Sequence, residues 1–330
     1  MASSRLDNLM RPLAHQLHAN HMARFGIDTT MAMAGAYNRM KYGRIDDARR
    51  ALYREQWTSL ITENGAPRTP GIEMKDGWAL DLSKSLPHLD RVLDDSEKII
   101  AERAGVRKSS GGAYRSYFQD VWTPADLEKY PSFLDFATSS EVLSTVTRYI
   151  GSVPVLSTAL PSGIRFVESN AEFDDQPGRP HDSQLYHIDY YSLPNVYVLV
   201  LLRDTTREHG PWTFLPRGVS QRVREGLDYW TRRRGYRLTD EDVYSIANRA
   251  DAIEFAHPRG SVLFIESSGC LHFGSRDSIQ PRFQLMLGYH GVCRTDSAEL
   301  VVPQKTYPVR PGDSRLRKWV LSREFLPDAQ

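Results

Sequence analysis

Three runs, NVYVLVLLRD (residues 195–204), GSVLFIE (260–266) and RFQLMLGYH (282–290), decide what kind of fold this chain makes. Each is short, rich in β-branched and aromatic residues, and bounded by Gly, Pro, Asp or Asn, the marks of a strand. Working outward, SVPVLST (152–158), SGIRFVE (162–168), SQLYHID (183–189) and WTFLP (212–216) share that texture. Short strands punctuated by turn signals predict an all-β barrel or sandwich after Gly151. One stretch breaks the pattern: Gln221–Arg249 is charged and helical, and reads as an insertion between strands.

The chain before Gly151 has a different period. Segments around 8–24, 45–63 and 87–104 place apolar residues three and four apart among Arg, Glu and Asp, which predicts helices. Asn64–Pro67 and Ser109–Gly112 are turn signals between them. Residues 131–150, PSFLDFATSSEVLSTVTRYI, read as a further helix capped near Ser139–Ser140 and stopped by Gly151. The expected division is a helical region over 1–125, a β-barrel core over 126–300 with the insertion at 221–249, and a C-terminal extension over 301–330.

Composition narrows the function classes. The chain has 330 residues, 40% hydrophobic and 25% charged, ordinary values for a soluble globular protein. With 42 basic and 41 acidic residues, the net charge of +1 supplies no global field for capturing nucleic acid or an anionic membrane. The local run Arg232–Arg234 reads as a solvated face. Two cysteines, Cys270 and Cys293, make neither a disulfide framework nor a zinc site by themselves. The N-terminus lacks the apolar core of a signal peptide, and no apolar run approaches the ~20 residues of a membrane span. The expectation is a soluble, cytoplasmic protein that acts on a small molecule.

The chemistry is concentrated in SQLYHID. Side chains alternate along a strand, so His187 and Asp189 point to one face and offer two adjacent metal positions. Further on, the strand Gly260–Glu266 leads into a loop bearing His272. Two His and one carboxylate form the facial triad of non-haem Fe(II) oxygenases, with three positions open for a chelating 2-oxo acid and O2. Alone, His-x-Asp is a weak motif, and a surface His near an Asp is the commoner meaning. Arg282, ten residues beyond His272, raises the specificity, because a guanidinium there can grip a carboxylate bidentately.

On these residues the sequence resembles the phytanoyl-CoA dioxygenase-like family of Fe(II)/2-oxoglutarate-dependent oxygenases. The resemblance runs from near Pro131 to Gly291. It is carried by Gln184–Asp189 (Gln-x-x-His-x-Asp), by His209–Pro216 (a glycine-led strand ending in proline), and by His272–Ser275 followed by Pro281-Arg282. The resemblance implies an α+β fold, a double-stranded β-helix (jelly-roll, cupin-like) barrel with the helical N-terminal region packed on it. It also implies that His187, Asp189 and His272 are iron ligands, and that Arg282 holds the distal carboxylate of 2-oxoglutarate. Gln184 matches a glutamine that in some members binds the cosubstrate near the metal. A regular strand would point Gln184 away from His187, so a bend would be required to bring it there.

The chain departs from the family in two places. Pro216 is followed by Arg217-Gly218-Val219 where members often have Gly-Ser-His. Trp212 stands where smaller residues are usual, and reads either as a wall of the cosubstrate pocket or as core. Halogenases of this superfamily lack the carboxylate ligand, so Asp189 favours hydroxylation, or the related desaturation or cyclisation. Tyr190 and Tyr191 are candidate substrate contacts or rim packing. His209, His257 and His290 lack partners at ligand spacing, and Cys270 reads as a small buried apolar residue. Rival readings are the same chemistry on a nucleic acid or protein, and a jelly-roll binding protein without turnover.

Overall fold

The computed structural model describes residues 10, 13–14, 26–106, 116–123, 125–158, 163–231, 236–301 and 306–323. The helix expected around 8–24 lies outside them but for Met10, Leu13 and Ala14, and so do Ser109–Gly112 and Arg232–Arg234. The strands are β1 (Trp78–Asp81), β2 (Phe118–Asp120), β3 (Val155–Leu156), β4 (Ile164–Ser169), β5 (Asn195–Leu201), β6 (Thr213–Phe214), β7 (Ile253–Glu254), β8 (Val262–Glu266), β9 (His272–Phe273) and β10 (Arg282–His290). They form an antiparallel major sheet in the order β1-β8-β5-β10-β4-β2, with β3 also on β10, and a minor sheet β7-β6-β9. The fold is a double-stranded β-helix with helices on its N-terminal side.

Period-2 alternation explains why both faces of the major sheet are buried yet chemically different. On β10, Phe283, Leu285, Leu287 and Tyr289 join the large core shared with the helices, as do Val196, Val198 and Val200 on β5. The intervening residues Tyr197, Leu199 and Leu201 face the other way and pack with Trp212, Phe214 and Phe255 inside the barrel. Arg282, Gln284 and Met286 alternate with the first set, so β10 carries its polar residues to the barrel interior. A third apolar cluster, including Tyr186, Ile188, Val223 and Leu238, joins the triad-bearing segment to the 221–249 region.

The helical half holds two differences from the sequence reading. Helix α1 spans Ile27–Glu63 in one piece, where only 45–63 was expected. Gly35 and Gly43 each cost a helix ~1 kcal/mol and hide its first half from propensity reasoning. Burial overrides them: Ile27, Met31 and Ala34 are buried, and the Asn38 amide donates to Arg294 O and Asp296 O at 2.9 and 3.0 Å. The first 125 residues also supply strands, since β1 pairs with β8 and β2 with β4. Helix α2 (Leu89–Arg103) lies close to its expected span.

Residues 131–150 form two helices rather than one, α3 (Ser132–Ala137) and α4 (Ser140–Ile150). The Thr138 hydroxyl donates to Leu134 O at 2.6 Å, a side-chain bond that competes with helix continuation. Gly151 ends α4 in the left-handed conformation at φ 73°, its N–H donating to Thr147 O. The insertion is helix α5 (Arg217–Gly226) followed by the single-turn α6 (Asp240–Tyr244). Helix α7 (Arg315–Leu321) docks its C-terminal end on α1, where the fully buried Arg49 donates to Trp319 O and Ser322 O. Cation and helix C-terminus attract, although burial still pushes the Arg49 guanidinium down to about 9. Among the described residues, no helix is long and apolar enough to cross a membrane.

Two substitutions separate packing from backbone effects. Phe264→Ala empties a site on β8 with 0% exposure and should cost ~3–5 kcal/mol in denaturant unfolding. Gly151→Ala, with open space around its Cβ position but positive φ, should cost only ~1 kcal/mol.

Candidate metal centre

The segment 183–189 corrects the sequence reading: it is not a regular strand. Asp182–Gln184 is a 3₁₀ turn, and beyond it Tyr186 and His187 make isolated bridges to Leu238 and His272. The chain bends here, but Gln184 does not join the residues that line the cavity of the triad. Within the bridge, His187 N–H donates to His272 O at 3.0 Å and His272 N–H donates to His187 O at 2.9 Å. This reciprocal pair places the two residues directly opposite each other. Their rings lie 4.4 Å apart between centroids.

Both imidazoles are oriented by the same device. His187 Nδ1 lies 2.8 Å from Leu185 O, and His272 Nδ1 lies 2.9 Å from Cys270 O. A carbonyl only accepts, so each Nδ1 carries the proton and each Nε2 keeps its lone pair for a metal. Asp189 completes the group, with Oδ2 3.6 Å from His272 Nε2. Its backbone N–H donates to Ser267 O at 2.9 Å, which fixes the turn that brings the carboxylate back toward the rings. One ligand atom from each residue lies within 4.8 Å of the others, and all three residues are buried. That group would suit one divalent metal ion.

Arg282 opens β10 and lines the same cavity as the triad. It is 4% exposed, and its Nη2 donates to Ser275 Oγ at 3.1 Å. Its Nε and Nη1 are buried without a hydrogen-bond partner. Burial pushes this guanidinium down to about 10, so it remains a cation at neutral pH. A buried cation with orphaned donors is costly unless an anion joins it. The donor set therefore fits a carboxylate.

Trp212 lies both on the cavity wall and in the barrel core. Its indole stacks on the His272 ring, centroids 4.2 Å apart. Gly274 leaves room for this arrangement: a Cβ there would lie 2.8 Å from Trp212 Cδ1 and 3.4 Å from Arg282 Nη2. Gln184 is buried behind these residues rather than along the cavity. Its Nε2 donates to Ser275 O at 2.9 Å and its Oε1 accepts from His181 N–H at 3.1 Å. It thus braces the loop whose Ser275 hydroxyl meets Arg282.

Tyr191 lines the cavity, and burial, with Asp189 adding its charge, holds its phenol protonated. Tyr190 packs instead on Tyr191 and Tyr236. His290 is buried beside Arg294, 3.3 Å from its Nη1, and His209 is bound to Thr206 at 2.9 Å. Neither joins the triad. Burial pushes the Cys270 thiol well up, consistent with a small core residue. Phe118, Arg165, Gln284 and Met286 also line the cavity and were not singled out from sequence. The alternation in IRFV, which sends Arg165 and Val167 to one face, was the available signal.

No family model matches this chain, and no curated protein matches it. Among solved structures the chain is similar to SnoN, a non-heme alpha ketoglutarate dependent epimerase from nogalamycin biosynthesis, at 16% identity and TM-score 0.43, covering 71% of this chain and 83% of that one. It is similar to EctD from S. alaskensis at 14% identity and TM-score 0.42, covering 73% and 82%. It is also similar to HygX from Streptomyces hygroscopicus, solved with nickel and 2-oxoglutarate bound, at 14% identity and TM-score 0.40, covering 65% and 82%. Likeness at this level assigns neither a family nor an activity to the chain.

A divalent metal bound by the folded state alone stabilises it by ~2.7 kcal/mol at a hundred times its Kd. Added Fe(II), under anaerobic conditions, should raise the melting temperature of the wild type and leave His187→Ala and His272→Ala unmoved. Acid should erode the gain, because protons compete for the same nitrogens. An equal rise in both variants would place the metal elsewhere.

Proposed function

We propose that this chain is an Fe(II)- and 2-oxoglutarate-dependent oxygenase, of phytanoyl-CoA dioxygenase-like type, that oxidises a small organic molecule. The carrying observation is the pairing in one cavity of a buried two-histidine, one-carboxylate group with a buried arginine whose Nε and Nη1 have no partner. The first set suits iron(II). The second suits the distal carboxylate of a 2-oxo diacid. When bound, iron(II) and 2-oxoglutarate supply oxidative decarboxylation with O2, giving succinate and CO2 and oxidising a C–H bond of the substrate.

The residues divide the remaining work. His187 and His272 present Nε2 because the Leu185 and Cys270 carbonyls hold the protons on Nδ1. Asp189 adds the negative charge that favours a divalent cation and occupies the position that a halide would need. Arg282 and Ser275 orient the cosubstrate from its far end, and Gln184 keeps Ser275 in place. Trp212 covers one side of His272 and excludes water there. Tyr191 keeps a phenol O–H beside Asp189, available to a bound ligand. Hydroxylation is the outcome this arrangement favours, with desaturation or cyclisation as variants of the same hydrogen removal.

Arg282→Met should have two effects of opposite sign. Removing two orphaned buried donors should stabilise the ligand-free protein, on the order of 1 kcal/mol. It should also weaken 2-oxoglutarate by ~10–100-fold, the value of charge-assisted hydrogen bonds at ~1.5–3 kcal/mol. Anaerobic titration, read by the weak charge-transfer absorption of a 2-oxo acid chelated to Fe(II), checks the affinity, and denaturant unfolding checks the stability. A wild type that binds Fe(II) yet shows no such absorption at saturating 2-oxoglutarate would sink the proposal.

A further inference from the structure

The cavity carries a second cation whose role the metal centre does not account for. Arg165 lies on β4 opposite Met286, and its side chain lines the cavity with 14% exposure. Arg282 is four residues from Met286 along β10, ~13 Å at strand rise. A five-carbon diacid spans only ~5 Å between its terminal carbons, from four bonds of ~1.5 Å. A diacid anchored at Arg282 is shorter than that backbone separation, which leaves Arg165, on the neighbouring strand opposite Met286, as the cation for another molecule.

The guanidinium of Arg165 is held on two sides. Its Nε and Nη2 donate to Asp120, with a shortest contact of 2.9 Å, and its plane lies 4.5 Å from the Phe118 ring centroid. Among the described residues, Nη1 makes no hydrogen bond. An ion pair this enclosed contributes little to stability that apolar side chains of similar volume would not. Of the residues that share its cavity, Phe118, Val167, Tyr197 and Met286 are apolar or aromatic, and Gln284, paired with Val167 on β10, adds a polar group. A rigid cation with one spare donor edge, in the same cavity as the His187–Asp189–His272 group, suits a carboxylate.

We infer that Arg165 is a specificity-determining residue that takes a carboxylate of the primary substrate, so the substrate class is a small carboxylic acid whose apolar body lies between Arg165 and the metal. Asp120 positions the guanidinium and Phe118 supports it from below. The inference rests on reading the centre as an iron and 2-oxoglutarate site.

The test uses the full chain loaded anaerobically with Fe(II) and 2-oxoglutarate. Ligand-observed NMR screens a library of small carboxylic acids, each matched by its carboxamide, and calorimetry measures the hits. Expected hits are acids whose amides bind at least ~10-fold more weakly. Arg165→Gln/Asp120→Asn, which leaves no unpaired charge, should abolish that preference while 2-oxoglutarate affinity changes less than ~2-fold. Arg165→Lys should recover part of it. Amides binding as well as acids, or an acid preference that survives the neutral pair, overturns the inference. Failure of the underlying reading looks different: wild-type protein would not take up Fe(II) and 2-oxoglutarate before any library member is added.

Discussion

Two backbone hydrogen bonds hold the centre together. The reciprocal exchange between His187 and His272 joins a segment that precedes β5 to the short strand β9. It is the smallest unit of antiparallel pairing, and it fixes the separation of the imidazoles before any metal arrives. The carbonyls of Leu185 and Cys270, each two residues before its histidine, then fix the ring orientation. Preorganisation here comes from the main chain, so side-chain substitution nearby disturbs it less than a change in local backbone path would. The third cluster, with Tyr186, Ile188 and Leu271, packs from behind and keeps that path.

The rest of the barrel follows from strand alternation. β5 presents apolar residues on both faces, which is why NVYVLVL reads as an almost unbroken hydrophobic run, whereas β10 is apolar on one face and carries Arg282 and Gln284 on the other. One face closes against the helices through Val198, Phe264 and Leu285. The other could have been wholly apolar, and near β8 it is. On β4 and β10 the inward face turns polar at Arg165, Arg282 and Gln284, which line the cavity with the triad. The position of the ligand cavity is thus set by which strands break the apolar pattern on their inward face. All three breaks sit on two adjacent, paired strands.

What the sequence made legible divides along physical lines. His187, Asp189, His272 and Arg282 could be singled out because each belongs to a short spacing, two residues from His187 to Asp189 and ten from His272 to Arg282. The barrel strands were legible because their residue types and bounding Gly, Pro and Asp agree. The first half of α1 was not, since Gly35 and Gly43 lower its propensity and only long-range burial restores it. β1 and β2 were missed for a related reason. Their three or four residues carry little periodicity, and their strand character comes from pairing with β8 and β4. Arg165 was visible only as one arginine among many until β2 brought Asp120 to it.

The two arginines in the cavity show how one side-chain type can be used in opposite ways. Arg165 has a resident carboxylate and an aromatic ring, so its cost of burial is offset within the folded chain. Arg282 has only a hydroxyl, and burial drives its guanidinium down to about 10. A site that satisfied Arg282 internally, as Asp120 does for Arg165, would gain stability and lose its demand for an anion. On the proposed reading, a bound carboxylate would complete the hydrogen-bond inventory that the folded chain leaves short at Arg282. The same deficit limits what can bind: a ligand without a carboxylate at that end leaves the orphaned donors unmet and gains nothing from entering.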